Sequence, residues 1–306
     1  MAKIKVIGVG GSGSNAVSRM MSCKIKGVDL VALNTDIQDL KKIKADVKIQ
    51  IGKNLTKGLG SGMNPEMGKM AAEEQKEEIS GILKGTDMVF ITCGLGGGTG
   101  TGAAPVVAEI AKSQKILTIA VVTKPFSFEG YPRMKIANAG AEILKTKVDT
   151  LVAISNDRIL GLVDQNATLY SAFWLCDEIL RQAVQGISDL IMVPGIINVD
   201  FADVKSIMRD SGQALLGRGY GRGEKRIEDA VNQAIKSPLA DFSIQGAKGV
   251  LFNVSGGDDL SLDEINEAAG IITKNTDQQA KIIFGAVKDP KLKKGEVSVM
   301  VIATGF

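Results

Sequence analysis

Gly94-Leu95-Gly96-Gly97-Gly98-Thr99-Gly100-Thr101-Gly102 is the stretch on which the reading of this chain turns. It follows Met88–Cys93, an unbroken apolar run of the kind found at the centre of a parallel sheet, and it precedes a helical pattern over Ala103–Lys112. One or two glycines suffice for a strand-to-helix turn. Here every position but Leu95 is Gly or Thr, so successive amides and two hydroxyls can face an anion.

A second glycine loop stands near the N-terminus. Gly8-Val9-Gly10-Gly11-Ser12-Gly13 follows a strand at Lys3–Val9 and opens a helix from about Ser14 to Met21. The next strand, Asp29–Leu33, ends at Asn34-Thr35-Asp36. That is the context of a dinucleotide-binding fingerprint: glycines admit phosphate to the backbone, the helix start favours anions, and an acid reaches a ribose. Alone, this loop leaves NAD, FAD and other nucleotides open. A dinucleotide fold has no need of a second cradle as long as residues 94–102. Together the loops point to one nucleotide held by its phosphates from several strand ends. No GxxxxGK[ST] is present, which argues against an ordinary P-loop enzyme.

Outward from these loops, strands alternate with helices. Val47–Ile51, Ile116–Val122 and Thr150–Ile154 read as strands, and Met134–Lys145 as a helix. Asn54–Pro65 reads as a loop. Glu66–Leu83 reads as one helix with Glu73, Glu74, Glu77 and Glu78 on a solvated face. This spacing predicts a doubly wound α/β nucleotide-binding domain. Leu169–Ile191 carries one apolar stripe, Leu169, Phe173, Cys176, Leu180, Ala183, Ile187 and Leu190, on a helix about 34 Å long. Pro194-Gly195 ends it. A second, smaller α/β domain follows: helix Ala202–Arg209, strand Gln213–Tyr220, helix Glu224–Lys236, strand Gly249–Val254, and helix Leu262–Lys274 behind a Ser261–Glu264 capping box. Strands Lys281–Val287 and Val297–Ala303 lack a helix between them and are expected to pair antiparallel, giving a mixed sheet. The expected divisions are 1–168, a connecting helix 169–193, and 194–306.

Composition excludes several classes. The 306 residues carry 37 basic and 34 acidic side chains, a net charge of +3 that is spread along the chain, so a nucleic-acid footprint is absent. There is no histidine, which removes His-based nucleophile pairs and metal ligands. Cys23, Cys93 and Cys176 lie far apart without CxxC spacing, against a disulfide framework or zinc site. No uncharged apolar run approaches a membrane span, and Met1–Lys5 leads straight into a strand, leaving no room for a signal peptide. The expectation is a cytoplasmic protein.

The loop Gly96-Gly97-Gly98-Thr99-Gly100-Thr101-Gly102 resembles the signature of the tubulin/FtsZ family of GTPases. Gly10-Gly11-Ser12-Gly13-Ser14-Asn15-Ala16 is similar to that family's first nucleotide loop. Asn34-Thr35-Asp36, Gly58-Leu59-Gly60-Ser61-Gly62-Met63-Asn64-Pro65, Phe126-Ser127-Phe128-Glu129-Gly130-Tyr131-Pro132-Arg133 and Asn198-Val199-Asp200-Phe201-Ala202-Asp203 follow in the family's order, over essentially the whole chain. The resemblance implies a cytoskeletal GTPase of cell division that assembles head to tail. GTP or GDP would be held by both loops, namely Gly10, Gly11, Ser12, Ser14 and Asn15 with Gly96, Gly97, Gly98, Thr99, Gly100 and Thr101. Glu129 and Arg133 would contact ribose and phosphate, Asn156 and Glu178 the guanine, and Phe173 would pack on the base. Asp177-Glu178 replaces the family's Asn-Asp, and Trp174 a smaller residue. Asn198, Asp200 and Asp203 would act on the nucleotide of the next subunit, with Mg²⁺ on the phosphates. By spacing alone, Asp200 and Asp203 read as a helix N-cap and its first-turn acid. The resemblance further implies a recruiting tail for membrane anchors and division regulators, expected beyond Phe306 where this sequence stops, and a location at the division site. Two other readings stand beside it: an NAD-dependent oxidoreductase, carried by the first loop and Asp36, and a tubulin-like regulator that binds nucleotide without assembling.

Overall fold

The computed structural model describes residues 2–25, 27–160, 168–193, 195–236 and 243–306. The chain forms two compact units, residues 1–185 and 186–306. Expected Pro194 lies outside the described residues.

The first unit comprises β1 (Ile4–Val9), α1 (Gly10–Ser22), β2 (Val28–Asn34), α2 (Ile37–Lys42), β3 (Val47–Gln50), α3 (Lys53–Thr56), α4 (Pro65–Glu74), α5 (Lys76–Leu83), β4 (Met88–Gly94), α6 (Gly98–Ser113), β5 (Leu117–Lys124), a 3₁₀ turn (Ser127–Glu129), α7 (Tyr131–Lys145), β6 (Thr150–Ser155), α8 (Asn156–Leu160) and the larger part of α9 (Leu169–Met192). Its strands lie in the order β3-β2-β1-β4-β5-β6, every neighbouring pair parallel. Strand order reverses between β1 and β4, and both strands run directly into a glycine loop. In doubly wound sheets that reversal opens a crevice at the carboxyl ends of the strands. Met88, Val89, Phe90, Ile91 and Cys93 are fully buried, as a strand covered on both faces requires.

Several local expectations change. The turn expected at Gly10–Gly13 and the loop expected through Gly102 are helical from Gly10 and Gly98 onward. Residues 66–83 form two helices, not one. Glu74 at the end of α4 accepts from Asn54 N at 3.0 Å and Leu55 N at 3.3 Å, and the Gln75 side chain accepts from Gly52 N. These acceptors satisfy the open amides of short α3, which occupies part of the expected loop, and the helix breaks at Gln75 to supply them. α4 itself starts on Asn64, which accepts from Glu66 N at 3.0 Å, followed by Pro65. On α9, Cys176, Leu180, Ala183, Ile187 and Leu190 are buried as the stripe predicts, but Leu169 and Phe173 are exposed. The boundary between the two units falls within this helix, at Gln185 and Gly186.

The second unit continues with α10 (Phe201–Met208), β7 (Gly212–Arg222), α11 (Arg226–Ile235), β8 (Gly249–Gly256), α12 (Leu262–Lys274), β9 (Lys281–Lys288) and β10 (Glu296–Thr304). The order is β7-β10-β8-β9. β9 and β10 therefore do not pair. β10 inserts between β7 and β8, antiparallel to both, while β9 lies parallel to β8 after the α12 crossover. The reason is burial: residues 297–304 of β10 are all buried, which suits a central strand, whereas β9 is only partly buried and exposes Lys281, Phe284 and Lys288 at the edge. The capping box forms, with Ser261 N donating to Glu264 at 2.9 Å and Glu264 N to Ser261 Oγ at 3.3 Å.

Candidate nucleotide site

α1 and α6 start without any side-chain cap; their N-cap positions are Val9 and Gly97. The first amides of a helix have no partner inside it, and the helix dipole makes that end attractive to anions. Both starts line one cleft of about 390 Å³, through Gly10, Gly11 and Ser12 and through Gly97, Gly98, Thr99 and Gly100. The loops also touch each other. Gly10 has φ +72°, and a Cβ there would come within 2.9 Å of the Gly100 amide nitrogen. Thr99 Oγ1 is tied to Thr35 Oγ1 and Ser61 Oγ, both at 2.8 Å, so segments 34–36 and 58–64 brace the second loop.

Four expected contact residues of the two glycine loops stand back from the cleft lining. Gly96 is buried at the base of the loop, where its amide donates to Thr101 Oγ1 at 2.9 Å, so Thr101 holds the loop from inside. Ser14 is fully buried with its hydroxyl unpartnered among the described residues, and Asn15 is exposed on α1.

The far end of the cleft is lined by Glu129, Arg133, Asn156, Phe173, Cys176 and Asp177. Arg133 Nη1 donates to Glu129 Oε2 at 2.6 Å. Phe173 meets Phe126 edge-on at 5.4 Å. Asn156 is 5% exposed, and its Oδ1 has no partner among the described residues; Asn34, 3% exposed and also on the cleft, likewise leaves its Nδ2 unpartnered there. A buried polar atom without a partner is costly, so two of them on one cleft mark where a ligand's donors and acceptors belong.

The carboxylate that α9 brings to this end is Asp177, not Glu178. On a helix, positions 173, 176 and 177 share a face, and 178 is rotated about 100° from 177. Glu178 accepts from Arg181 Nε at 2.8 Å, Arg181 Nη2 at 2.5 Å and Gln182 Nε2 at 2.8 Å. Burial opposes its ionisation, but these bonds outweigh burial and hold the carboxyl below its usual range. Asp177 lacks such a shell. Burial pushes it up to about 6, partly offset by Arg19, whose Nη2 lies 3.9 Å away. Arg19 is also stacked 4.4 Å over Trp174. Burial pushes the Cys176 thiol up to about 12, which makes it unreactive. Asp177, Arg19, Asp39, Ser61 and Thr123 were not among the expected site residues; Asp177 alone carried a usable signal, its i+4 spacing from Phe173.

In the second unit Asn198, Asp200 and Asp203 are all exposed. Asn198 Oδ1 accepts from Gly195 N at 2.6 Å and closes the turn before α10. Asp200 is the N-cap of α10 and accepts from Ala202 N at 3.2 Å. The Asp203 carboxylate, in the first turn, has no partner among the described residues.

A glycine-built phosphate cradle at the switch point of a parallel sheet, closed by acceptors suited to a base, defines a nucleotide-binding α/β protein. The chain belongs to the tubulin/FtsZ family: the family's GTPase domain matches residues 3–164, and the C-terminal domain of the FtsZ family matches residues 212–306. Among solved structures it is similar to the empty dimer of FtsZ from M. jannaschii, at 50% identity over 100% of this chain and 88% of that one, with a TM-score of 0.95. A point mutant of the same FtsZ matches at 50% identity, 99% and 91% coverage and TM-score 0.95. CetZ2 from Haloferax volcanii, a GTPγS-bound protofilament, shares the fold at 22% identity, with 98% and 92% coverage and a TM-score of 0.81.

Proposed function

We propose that this chain binds GTP in the cleft of residues 1–185, assembles head to tail, and hydrolyses the nucleotide where one copy's Asp200–Asp203 segment meets the next copy's cleft. The observation that carries this reading is the cleft itself: two uncapped helix starts for the phosphates, and unpartnered Asn156 Oδ1 with Asp177 for a base. Guanine offers N1–H and N2–H donors to a carboxylate, where adenine presents an acceptor at N1. A site built on such acceptors rejects the wrong base because its buried groups are left unpaired. Glu129 and Arg133 take the sugar and phosphate side, and Phe173 packs on the base.

No group of three or more metal-ligating side chains occurs among the described residues. Mg²⁺ would therefore be held chiefly by phosphate oxygens and water, where it would offset their charge. Phosphoryl transfer asks of the protein positioning and charge stabilisation. Asp200 and Asp203 would orient the attacking water, while Asn198 shapes the turn that presents them. The cleft lies in residues 1–185 and the two acids in 186–306. A contact joining unlike faces generates open filaments, and the dimeric M. jannaschii FtsZ supports self-association. In this reading residues 1–168 serve as the GTP-binding domain, 169–193 as the connecting helix, and 194–306 carry the acid loop. A cytoplasmic role in division, with membrane anchors and regulators as partners, belongs to the same reading. No helix among the described residues is long and apolar enough to cross a membrane.

The test is GTP turnover against protein concentration, followed together with light scattering. Turnover per molecule is expected to stay near zero below a threshold and to rise with assembly. A constant rate per molecule at all concentrations would overturn the shared active site.

A further inference from the structure

Asp157 follows Asn156 on α8 but does not line the cleft. Both of its oxygens serve one residue. Oδ1 accepts from the Ser127 backbone N–H at 2.8 Å, and Oδ2 accepts from the Ser127 hydroxyl at 2.5 Å. Ser127 opens the 3₁₀ turn that delivers Glu129, whose Oε1 accepts from Phe126 N–H at 2.8 Å and whose Oε2 accepts from Arg133 at 2.6 Å.

This turn reaches several parts of the site. The buried Phe126 ring stacks on Phe128 at 4.9 Å and meets Phe173 edge-on at 5.4 Å. Arg133 packs against the second glycine loop: a Cβ at Gly96 would lie 2.8 Å from Arg133 Cγ. A three-residue 3₁₀ turn holds its place poorly by its own hydrogen bonds. The two bonds to Asp157 fix it to the end of β6, beside Asn156.

We propose that Asp157 is a positioning residue that clamps segment 126–133, and through it Glu129, Arg133 and the support beneath Phe173, in the arrangement that receives nucleotide. The proposal rests on the reading of the cleft as a guanine-nucleotide site. Asp157 acts through Ser127 and stands outside the cleft lining, so its geometry matters and its charge does not.

The chemistry of asparagine separates these two. In Asp157→Asn, Oδ1 still accepts from the Ser127 N–H, and Nδ2 can donate to the Ser127 hydroxyl oxygen. In Asp157→Ala both bonds are lost, and in Ser127→Ala one. Affinity for a fluorescent GDP analogue is measured below the assembly threshold, with the melting midpoint of each nucleotide-free variant as a check on folding. Asp157→Ala is expected to bind about 10-fold more weakly, Ser127→Ala by less, and Asp157→Asn within about 2-fold of wild type. Wild-type affinity in both Asp157→Ala and Ser127→Ala overturns the proposal. So does an Asp157→Asn variant as weak as Asp157→Ala, since charge would then be the operative property. If the wild-type protein itself has no affinity for the analogue, the guanine-site reading fails and takes the clamp with it; that control distinguishes the two failures.

Discussion

The helix starts at Gly98 and at Phe201 meet the same problem in opposite ways. Each leaves amides without partners inside the helix. α6 begins behind Gly97 with no side-chain cap and lies open to the cleft, whereas α10 begins behind Asp200, whose carboxylate already accepts from Ala202 N, with Asp203 exposed one turn on. One start is left free for an anion, and the other has brought its own. In the proposed reading, binding and hydrolysis use different helix ends, one to receive phosphates and one to present carboxylates.

Asp203→Ala should break the contrast with the largest effect. If Asp203 only complements the helix dipole, its loss costs about 0.3–1 kcal/mol of stability and leaves turnover intact. If it acts on a neighbour's nucleotide, the variant folds and binds GTP, but turnover in assembled protein falls about 100-fold or more. Gly98→Ala should damage the other end, because its Cβ would lie 2.4 Å from Ser61 Oγ and 2.7 Å from Asn64 N. Mixing these two inactive variants above the assembly threshold should restore part of the GTPase activity. Co-assembly without any return of activity would count against a shared site.

Arg133→Ala should follow in size. Loss of a charge-assisted phosphate contact is expected to weaken GTP binding by about 1.5–3 kcal/mol in a direct titration, with little change in the unfolding midpoint. Unchanged affinity would remove Arg133 from the phosphate-binding set.

A smaller effect should appear with pH. Asp177 is pushed up to about 6 by burial, so acidification to pH 5 protonates it and removes an acceptor for guanine N–H groups. Affinity should fall about 10-fold between pH 7 and pH 5, and Asp177→Asn should flatten that dependence. Glu178→Gln, with the wild-type Asp177 retained, should leave it in place. The sign for stability is the reverse: a raised carboxyl pKa means the folded protein holds a proton that the unfolded chain releases. Without nucleotide, this group's contribution to stability therefore declines as pH rises from the ordinary carboxyl range through about 6.

On stability, Asp200→Ala should cost only about 1 kcal/mol of unfolding free energy from the lost cap, read by denaturant titration. A much larger loss would show that the acid loop carries structural weight beyond its helix start.

Much of this was legible in the amino acids alone. Glycines that let backbone approach backbone, and apolar runs of strand length, are local and unambiguous in their physical demands. They suffice for the parallel nucleotide-binding half, both phosphate loops and the long helix. The capping preferences of Asp200 and Ser261 are equally local. Tertiary structure alone decided the placement of β10, because nearness in sequence favours pairing with β9, while its uninterrupted apolar face is better buried between β7 and β8. It decided the break at Gln75, where a distant set of amides at residues 52–55 needed acceptors. It also decided between two adjacent carboxylates: Arg181 and Gln182 engage Glu178 on one face of α9, and helical rotation leaves Asp177 on the cleft, where burial and not sequence identity sets its proton affinity.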